Sequence, residues 1–194
     1  MNDEITMLEE WMGMDKCYFK ILAITTVLAD SNLAFRGKIS DLCNGIGIQS
    51  SSVNVTKIKR DIEFLESNNY IKILRDNGIY TISLAKAAEK SKNIIKIKKA
   101  WYELIKADNN PAAWESKLKV FLSLLEQPKD EPITYAQIGS KLGLSKSTVE
   151  RCVKALVKID FGDFMFKKKE VYFTKDGEIR TVGQTYEKVI DFSK

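Results

Sequence analysis

Five polar residues of this chain are spaced so that they share one face of a predicted helix and could form hydrogen bonds to a common ligand. They are Lys146, Ser147, Glu150, Arg151 and Lys154. Separations of three and four residues place such side chains on one face of a helix. Lysine, serine and arginine donate hydrogen bonds to phosphate oxygens, and arginine and glutamate can also pair with base edges in the major groove of DNA. The pattern therefore indicates a surface that reads nucleic acid, to which Ser145 adds a hydroxyl at the start of the helix.

The segment 133–156 has the pattern of two short crossed helices that would position these side chains. Apolar or small residues fall where the helices must touch, at Ile138, Gly139, Leu142, Val149, Cys152, Val153 and Leu156. Gly143 can adopt the left-handed conformation that ends the first helix, and Ser145 is a natural N-cap for the second. The pattern predicts a helix-turn-helix. An ordinary helical hairpin inside a core is the alternative interpretation.

Aromatic and β-branched residues after the second helix predict strands. The predicted strands are Phe164–Phe166, Val171–Thr174 and, after the turn signal Asp176-Gly177, Ile179–Val182. The first two are separated by Lys167, Lys168, Lys169 and Glu170. This basic hairpin resembles the wing of a winged-helix domain, and its three lysines are candidates for contacts with the DNA backbone.

An internal repeat predicts a second unit of the same kind. Ile58, Arg60, Ile62 and Leu65 stand 91 residues before Val149, Arg151, Val153 and Leu156. In this register the candidate reading residues of a helix over 56–71 are Thr56, Lys57, Lys59 and Arg60. Strands at 70–74 and 79–84 flank the turn Arg75-Asp76-Asn77-Gly78 and predict a second wing, which adds Arg75 to the DNA-binding candidates. The segment 44–52 is longer than the tight turn at Gly143. It therefore predicts either an extended turn or an extra half-helix before the second helix of this unit.

The two units are joined by a segment whose apolar residues have helical spacing. Ile94, Ile97, Trp101, Leu104 and Ile105 predict a lysine-rich connector helix. Three roles remain open for the lysine-rich surface of this helix: a solvated face, a contact with DNA, or a site of self-association. We therefore predict an N-terminal winged-helix domain (1–85), a helical connector (86–110) and a C-terminal winged-helix domain (111–194). The fold class is mainly α with small β-hairpins (α+β), with two winged helix-turn-helix domains in tandem.

Composition favours a DNA-binding protein over an enzyme. The 194 residues include no histidine, so the commonest general base and metal ligand are missing, and we expect no metal, cofactor or catalytic site. The cysteines at 17, 43 and 152 are widely spaced and predict buried free thiols in a reducing cytoplasm. No apolar run is long enough to span a bilayer. A net charge of +5 is compatible with nucleic acid.

Together the motifs SDLCNGIGI, TKIKRDIEFLESNNYI and NGIYTISL and the helix-turn-helix resemble tandem winged-helix DNA-binding proteins over residues 15–182. The first half is similar to modules of phage and plasmid regulators and replication proteins. The resemblance implies that the second helix of each motif enters the major groove while the wing grips the backbone. It implies sequence-specific binding of double-stranded DNA by a transcriptional regulator. The alternatives are a replication or partition initiator and a protein-interaction scaffold of the condensin-subunit type.

The two candidate reading helices carry different side chains, with Lys57 and Lys59 at the positions of Thr148 and Glu150. One chain would then act as a covalent pseudo-dimer on two adjacent half-sites of unlike sequence. This differs from a homodimer, which reads a palindrome with two identical helices.

Overall fold

The chain folds into two compact units, 1–99 and 100–194. The computed structural model describes residues 3–30, 33–85, 93–108, 113–128, 131–175 and 178–189, with the backbone alone at 173–175 and 178–180. Both units combine helices with small antiparallel sheets. The predicted α+β class is confirmed. The division between the units falls inside the predicted connector.

The N-terminal unit is built on three helices and a three-stranded sheet. Its elements are α1 (Lys16–Val27), β2 (Ala34–Gly37), α2 (Ile39–Ile46), α3 (Ser52–Ser67), β3 (Ile71–Asp76) and β4 (Ile79–Leu84). The sheet is antiparallel with the order β2-β4-β3. Asn77 and Gly78 join β3 to β4 with φ of 47° and 79°. Positive φ at both positions is the requirement of a two-residue hairpin turn. The predicted hairpin is confirmed, but its turn is shorter than predicted, because β3 continues through Arg75 and Asp76.

A two-stranded ribbon completes this unit. Strand β1 (Glu4–Leu8) pairs antiparallel with β5 (Ile94–Lys98), and a short 3-10 helix (Glu9–Gly13) follows β1. Ile95 and Ile97 are buried while Ile94 is 43% exposed, which is the alternation of a strand. The connector helix predicted over this segment is therefore wrong at 94–98. Its residues 86–92, 109 and 110 lie outside the described part of the chain.

The C-terminal unit begins with the remainder of the predicted connector. Its elements are α4 (Lys99–Ala107), α5 (Trp114–Glu126), α6 (Tyr135–Leu142), α7 (Lys146–Leu156), β6 (Met165–Lys175) and β7 (Glu178–Val189). Trp101 of α4 lies edge-on to Phe121 and Phe164, and its indole nitrogen donates to Asp163 Oδ2 over 3.1 Å. Helix α4 thus packs into the aromatic core of this unit. Leu104, which was predicted on the inward face, is 40% exposed.

The two units share one order of described elements: helix, extended segment, helix, helix, strand, strand. In the N-terminal unit the extended segment is β2, which pairs with β4. In the C-terminal unit it is one residue, Ile133, which forms an antiparallel bridge to Gln184 of β7. At Gly183 an added Cβ would lie 3.1 Å from the Ile133 carbonyl, so glycine lets the two backbones approach.

No helix in the part of the chain that the structure describes has the length and apolar character needed to cross a bilayer.

Candidate nucleic-acid interface

Helices α6 and α7 form a helix-turn-helix whose ends are fixed by local hydrogen bonds. Thr134 Oγ1 accepts from the Gln137 amide, and Gln137 Oε1 accepts from the Thr134 amide, so α6 begins with a capping box. Gly143 ends α6 with φ of 65°, in the left-handed region that favours glycine. Ser145 Oγ accepts from the Thr148 amide over 3.2 Å and caps α7. The predicted helix-turn-helix is confirmed.

The crossing of the two helices depends on Gly139. A Cβ added there would lie 2.5 Å from the backbone oxygen of Leu144, closer than real Cβ contacts come. Ile138 and Leu142 of α6 and Val149 of α7 are fully buried around this contact. The turn therefore packs directly on α6, and this close packing sets the direction in which α7 projects.

The outer face of α7 carries the residues that the sequence singled out. Lys146, Ser147, Arg151 and Lys154 are exposed, and Glu150 is half-buried. The Arg151 guanidinium lies 3.4 Å from Thr148 Oγ1, a long contact that uses one of its five donors, and the residue is exposed. Ser145 is also exposed, but its hydroxyl caps the helix and contacts the hydroxyls of Ser147 and Thr148.

One carboxylate is embedded among the cations of this face. Glu150 Oε1 lies 2.7 Å from Lys154 Nζ, one helical turn away. The hydrogen bond and charge of Lys154 lower the pKa of Glu150, and the charges of Lys146 and Lys168 lower it further. The same bond raises the pKa of Lys154. The charge of Lys154 is thus partly neutralised within the protein.

The three lysines of the second hairpin do not separate two strands, which is what the sequence predicted. Lys167, Lys168 and Lys169 lie inside the continuous strand β6, opposite Glu187, Tyr186 and Thr185 of β7. Side chains alternate along a strand, so Lys168 lies on the opposite face from Lys167 and Lys169. The turn itself, predicted at Asp176-Gly177, lies outside the described residues. Two separated strands at 164–166 and 171–174 were therefore a wrong prediction.

Each face of the hairpin uses its lysines differently. Lys168 Nζ lies 5.6 Å from the centre of the Tyr135 ring and 3.1 Å from Glu170 Oε1. Because Tyr135 begins α6, Lys168 lies on the helix side of the hairpin and joins the charges around α7. On the other face, Lys169 Nζ forms a 2.6 Å ion pair with Glu187 Oε1, whereas Lys167 is exposed. Of the three lysines, only Lys168 has a charge that shifts the pKa values of Glu150 and Lys154 on the outer face of α7.

A comparison with known protein families gives the same result for this part of the chain. Residues 122–161 match a winged helix-turn-helix DNA-binding family. The match begins inside α5, includes α6 and α7, and ends at Phe161. It therefore supports DNA binding by the winged helix-turn-helix formed around α7. No curated protein matches the chain at a significant level.

The corresponding surface of the N-terminal unit lies on α3. Helix α2 ends at the left-handed Gly47, and α3 begins after Ser51, whose hydroxyl accepts from the Asn54 amide over 3.3 Å. Both alternatives left open by the sequence occur, since the turn is longer and the helix also starts earlier. The predicted helix at 56–71 is corrected to Ser52–Ser67. Thr56 consequently lies in the second turn rather than at the helix start.

The predicted reading residues of α3 all lie at its surface. Thr56, Lys57, Lys59 and Arg60 are exposed. The Arg60 guanidinium is only loosely held, 3.7 Å from Asp61 Oδ1, with 75% of its side chain exposed. Arg75 is more firmly engaged, because its guanidinium donates to Glu66 Oε2 over 2.8 Å and so ties β3 to α3. This ion pair raises the pKa of Arg75.

Asp61 is the buried polar residue on the inner face of α3. It is 5% exposed, and its Oδ2 has no hydrogen-bond partner. Burial raises the pKa of this carboxyl, although Arg60 and Lys57 oppose the shift by their charge. Cys152, which stands 91 residues later in the repeat, is also buried, and burial raises its pKa to about 11. Among the described residues, no cluster of three or more acidic or cysteine side chains could hold a metal ion.

Sequence reasoning missed two residues of the candidate interface. Val53 is 74% exposed in the first turn of α3, and Tyr135 lies under Lys168 at the start of α6. The signal that could have identified the first was Ser50-Ser51-Ser52, a run of N-cap residues four positions before Thr56. The contact of Tyr135 depends on the fold of the hairpin, and no local signal indicates it.

Proposed function

We propose that this protein is a sequence-specific binder of double-stranded DNA that acts as a transcriptional regulator, with α7 as its major-groove helix. The observation that carries the proposal is the outward projection of Arg151 from a helix fixed by the Gly139 contact, within the segment that matches a winged helix-turn-helix DNA-binding family. Arginine is the side chain that most often pairs bidentately with guanine.

The N-terminal unit serves, in this proposal, as a second winged-helix domain. Its order of elements is that of the C-terminal unit. The buried residues Ile58, Asp61, Ile62 and Leu65 of α3 have the spacing of Val149, Cys152, Val153 and Leu156 of α7. Because the inner faces correspond, the outer faces correspond too, and Arg60 occupies the position of Arg151. We infer that α3 reads DNA as well.

The site of such a protein is asymmetric. The reading helices differ at most outward positions, with Lys59 in place of Glu150 and Glu63 in place of Lys154. A single chain therefore recognises two unlike half-sites, in contrast to a homodimer on a palindrome.

Duplex binding is tested by fluorescence anisotropy on the full chain over a series of salt concentrations. We expect log affinity to fall linearly with log salt, because bound lysines and arginines release counterions from phosphates. Arg151→Ala should cost about 1–3 kcal/mol on a selected duplex and much less on random DNA. Arg36→Ala is the matched control, since Arg36 is an exposed arginine of β2 and belongs to neither reading helix. Absence of duplex binding at low salt would instead favour a protein-interaction scaffold.

The tandem arrangement is tested by selecting sites from random duplexes with three full-length proteins: wild type, Arg60→Ala and Arg151→Ala. If both units read DNA, each variant relaxes the preference in a different part of the selected site. If Arg60→Ala leaves the whole motif unchanged, α3 does not read bases through Arg60. Mapping the sites on the source genome then separates a regulator, whose sites lie at promoters, from a replication or partition initiator, whose sites form arrays of repeats.

A further inference from the structure

The first turn of α3 extends further from the core than the first turn of α7. Helix α3 begins at Ser52, six residues before its first buried residue Ile58. Helix α7 begins at Lys146, three residues before Val149. The longer connection from Gly47 to Ser51 makes room for this additional turn, which has no counterpart in α7.

This additional turn presents an aliphatic side chain in line with the candidate reading residues. Val53 is 74% exposed, and Thr56 and Arg60 follow at separations of three and four residues on the same outward face. The outer face of α7 carries only polar and charged side chains, and none of its large hydrophobic residues is exposed. Single exposed aliphatic residues are common on proteins, but Val53 lies on the same face of α3 as Thr56 and Arg60.

An aliphatic side chain in the major groove has one distinctive partner. The C5 methyl group of thymine projects into that groove, and it is recognised by apolar contact rather than by hydrogen bonds. 5-Methylcytosine carries its methyl group on the same ring carbon. The methyl group of Thr56 has the same capacity, whereas Arg60 can donate to guanine.

We propose that Val53, supported by Thr56, recognises the C5 methyl group of a pyrimidine in the half-site bound by α3. The inference rests on the proposed function of α3 as a reading helix. With a rise of about 1.5 Å per residue, Val53 lies about 10 Å along the helix axis from Arg60. Base pairs are spaced by about 3.4 Å. A helix lying along the groove therefore places the methyl contact about three base steps from the base addressed by Arg60.

The test replaces each thymine of a selected duplex in turn with deoxyuridine, which lacks only the methyl group. Wild-type protein should lose about three- to five-fold in affinity at one or two positions, the value of one buried methyl group at about 0.8 kcal/mol. Val53→Ala should bind the unmodified duplex correspondingly less tightly and show no further loss on the deoxyuridine duplex. Thr56→Ser, which removes a methyl group and keeps the hydroxyl, tests the supporting contact in the same way.

Two further measurements make the result specific. Cytosine at the sensitive position should bind weakly, and 5-methylcytosine should recover part of the affinity for wild type but not for Val53→Ala. Leu74→Ala is the matched control, because Leu74 is an aliphatic residue of β3 with 73% exposure that lies outside the reading helix. It should keep the full sensitivity to deoxyuridine.

The outcomes separate this inference from the proposed function. Wild-type protein that binds the selected duplex tightly, with no loss at any deoxyuridine position, overturns methyl recognition and leaves DNA binding intact. Sensitivity that persists unchanged in both Val53→Ala and Thr56→Ser assigns the methyl contact to another residue and also overturns the proposal. Failure of wild type to bind any duplex removes the proposed function and, with it, this inference.

Discussion

Glu150→Gln is expected to make the protein bind duplex DNA more tightly. In the free protein the Glu150 carboxylate lies 2.7 Å from Lys154 Nζ and is also influenced by the charges of Lys146 and Lys168. On DNA the same carboxylate would be close to phosphates of like charge. Glutamine keeps the size of the side chain, removes the repulsion and releases Lys154 for a phosphate contact.

The magnitude follows from counterion release. One additional phosphate contact makes the slope of log affinity against log salt steeper by about 0.9. At 0.1 M salt, this corresponds to a gain of up to about eight-fold, which disappears as the salt concentration approaches 1 M. The gain should be equal on selected and random duplexes, because a phosphate contact carries no sequence information.

The assay is an anisotropy titration on both duplexes at four or five salt concentrations. Glu103→Gln is the control, since it changes the net charge equally at an exposed position on α4. A general effect of net charge would appear in both variants. If Glu150→Gln weakens binding to the selected duplex alone, the predicted repulsion between Glu150 and the phosphates is refuted. That result would show that Glu150 accepts a hydrogen bond from a base such as cytosine.

Three further predictions concern the fold that carries the interface. Gly139→Ala should lower the free energy of unfolding by about 1–3 kcal/mol in chemical denaturation, because its Cβ would displace the backbone of the turn. Burial raises the pKa of the Asp61 carboxyl in the folded protein. The protonated carboxyl therefore stabilises the fold below the unfolded pKa, and this stabilisation is lost as the pH rises through the folded pKa. Asp61→Asn removes this titration, so the variant should lose less stability than wild type between pH 4 and pH 7. Thermal melts at both pH values measure this, and an unchanged difference would contradict it. A maleimide at pH 7 should label Cys17 quickly, because this thiol is only half-buried. Cys43 and Cys152 are buried and burial raises the pKa of both thiols, so they should be labelled only after denaturation. Mass spectrometry counts the maleimides attached before and after denaturation.

The parts of the fold that local chemistry determines could be predicted from the sequence. Gly143, Ser145 and the Asn77-Gly78 pair act through their own backbone preferences, so the turn, the cap and the hairpin were predicted correctly. The apolar residues on the inward faces of α3 and α7 follow from helical spacing alone, whereas the buried Asp61 does not. The outward faces, and with them most of the candidate interface, follow by exclusion.

Features that depend on distant partners could not be predicted in this way. The residues of β5 fit a helix as well as a strand, and only the pairing with β1 decides between them. Lysines disfavour strands by propensity, yet Lys167 to Lys169 lie in one because β7 continues opposite them. The early start of α3 does not follow from the repeat, because the turn before the second helix has a different length in each unit.

The ribbon of β1 and β5 also gives the N-terminal unit a particular order of assembly. Glu4 pairs with Lys98 and Leu8 with Ile94, so this contact joins segments about 90 residues apart, whereas the other strands of the unit pair within a shorter stretch of chain. At about 5–20 residues per second, a ribosome makes the second strand roughly 5 to 18 seconds after the first. During that interval the backbone edge of β1 that β5 will occupy has no strand to pair with. A chaperone therefore has this interval in which to bind the unpaired strand.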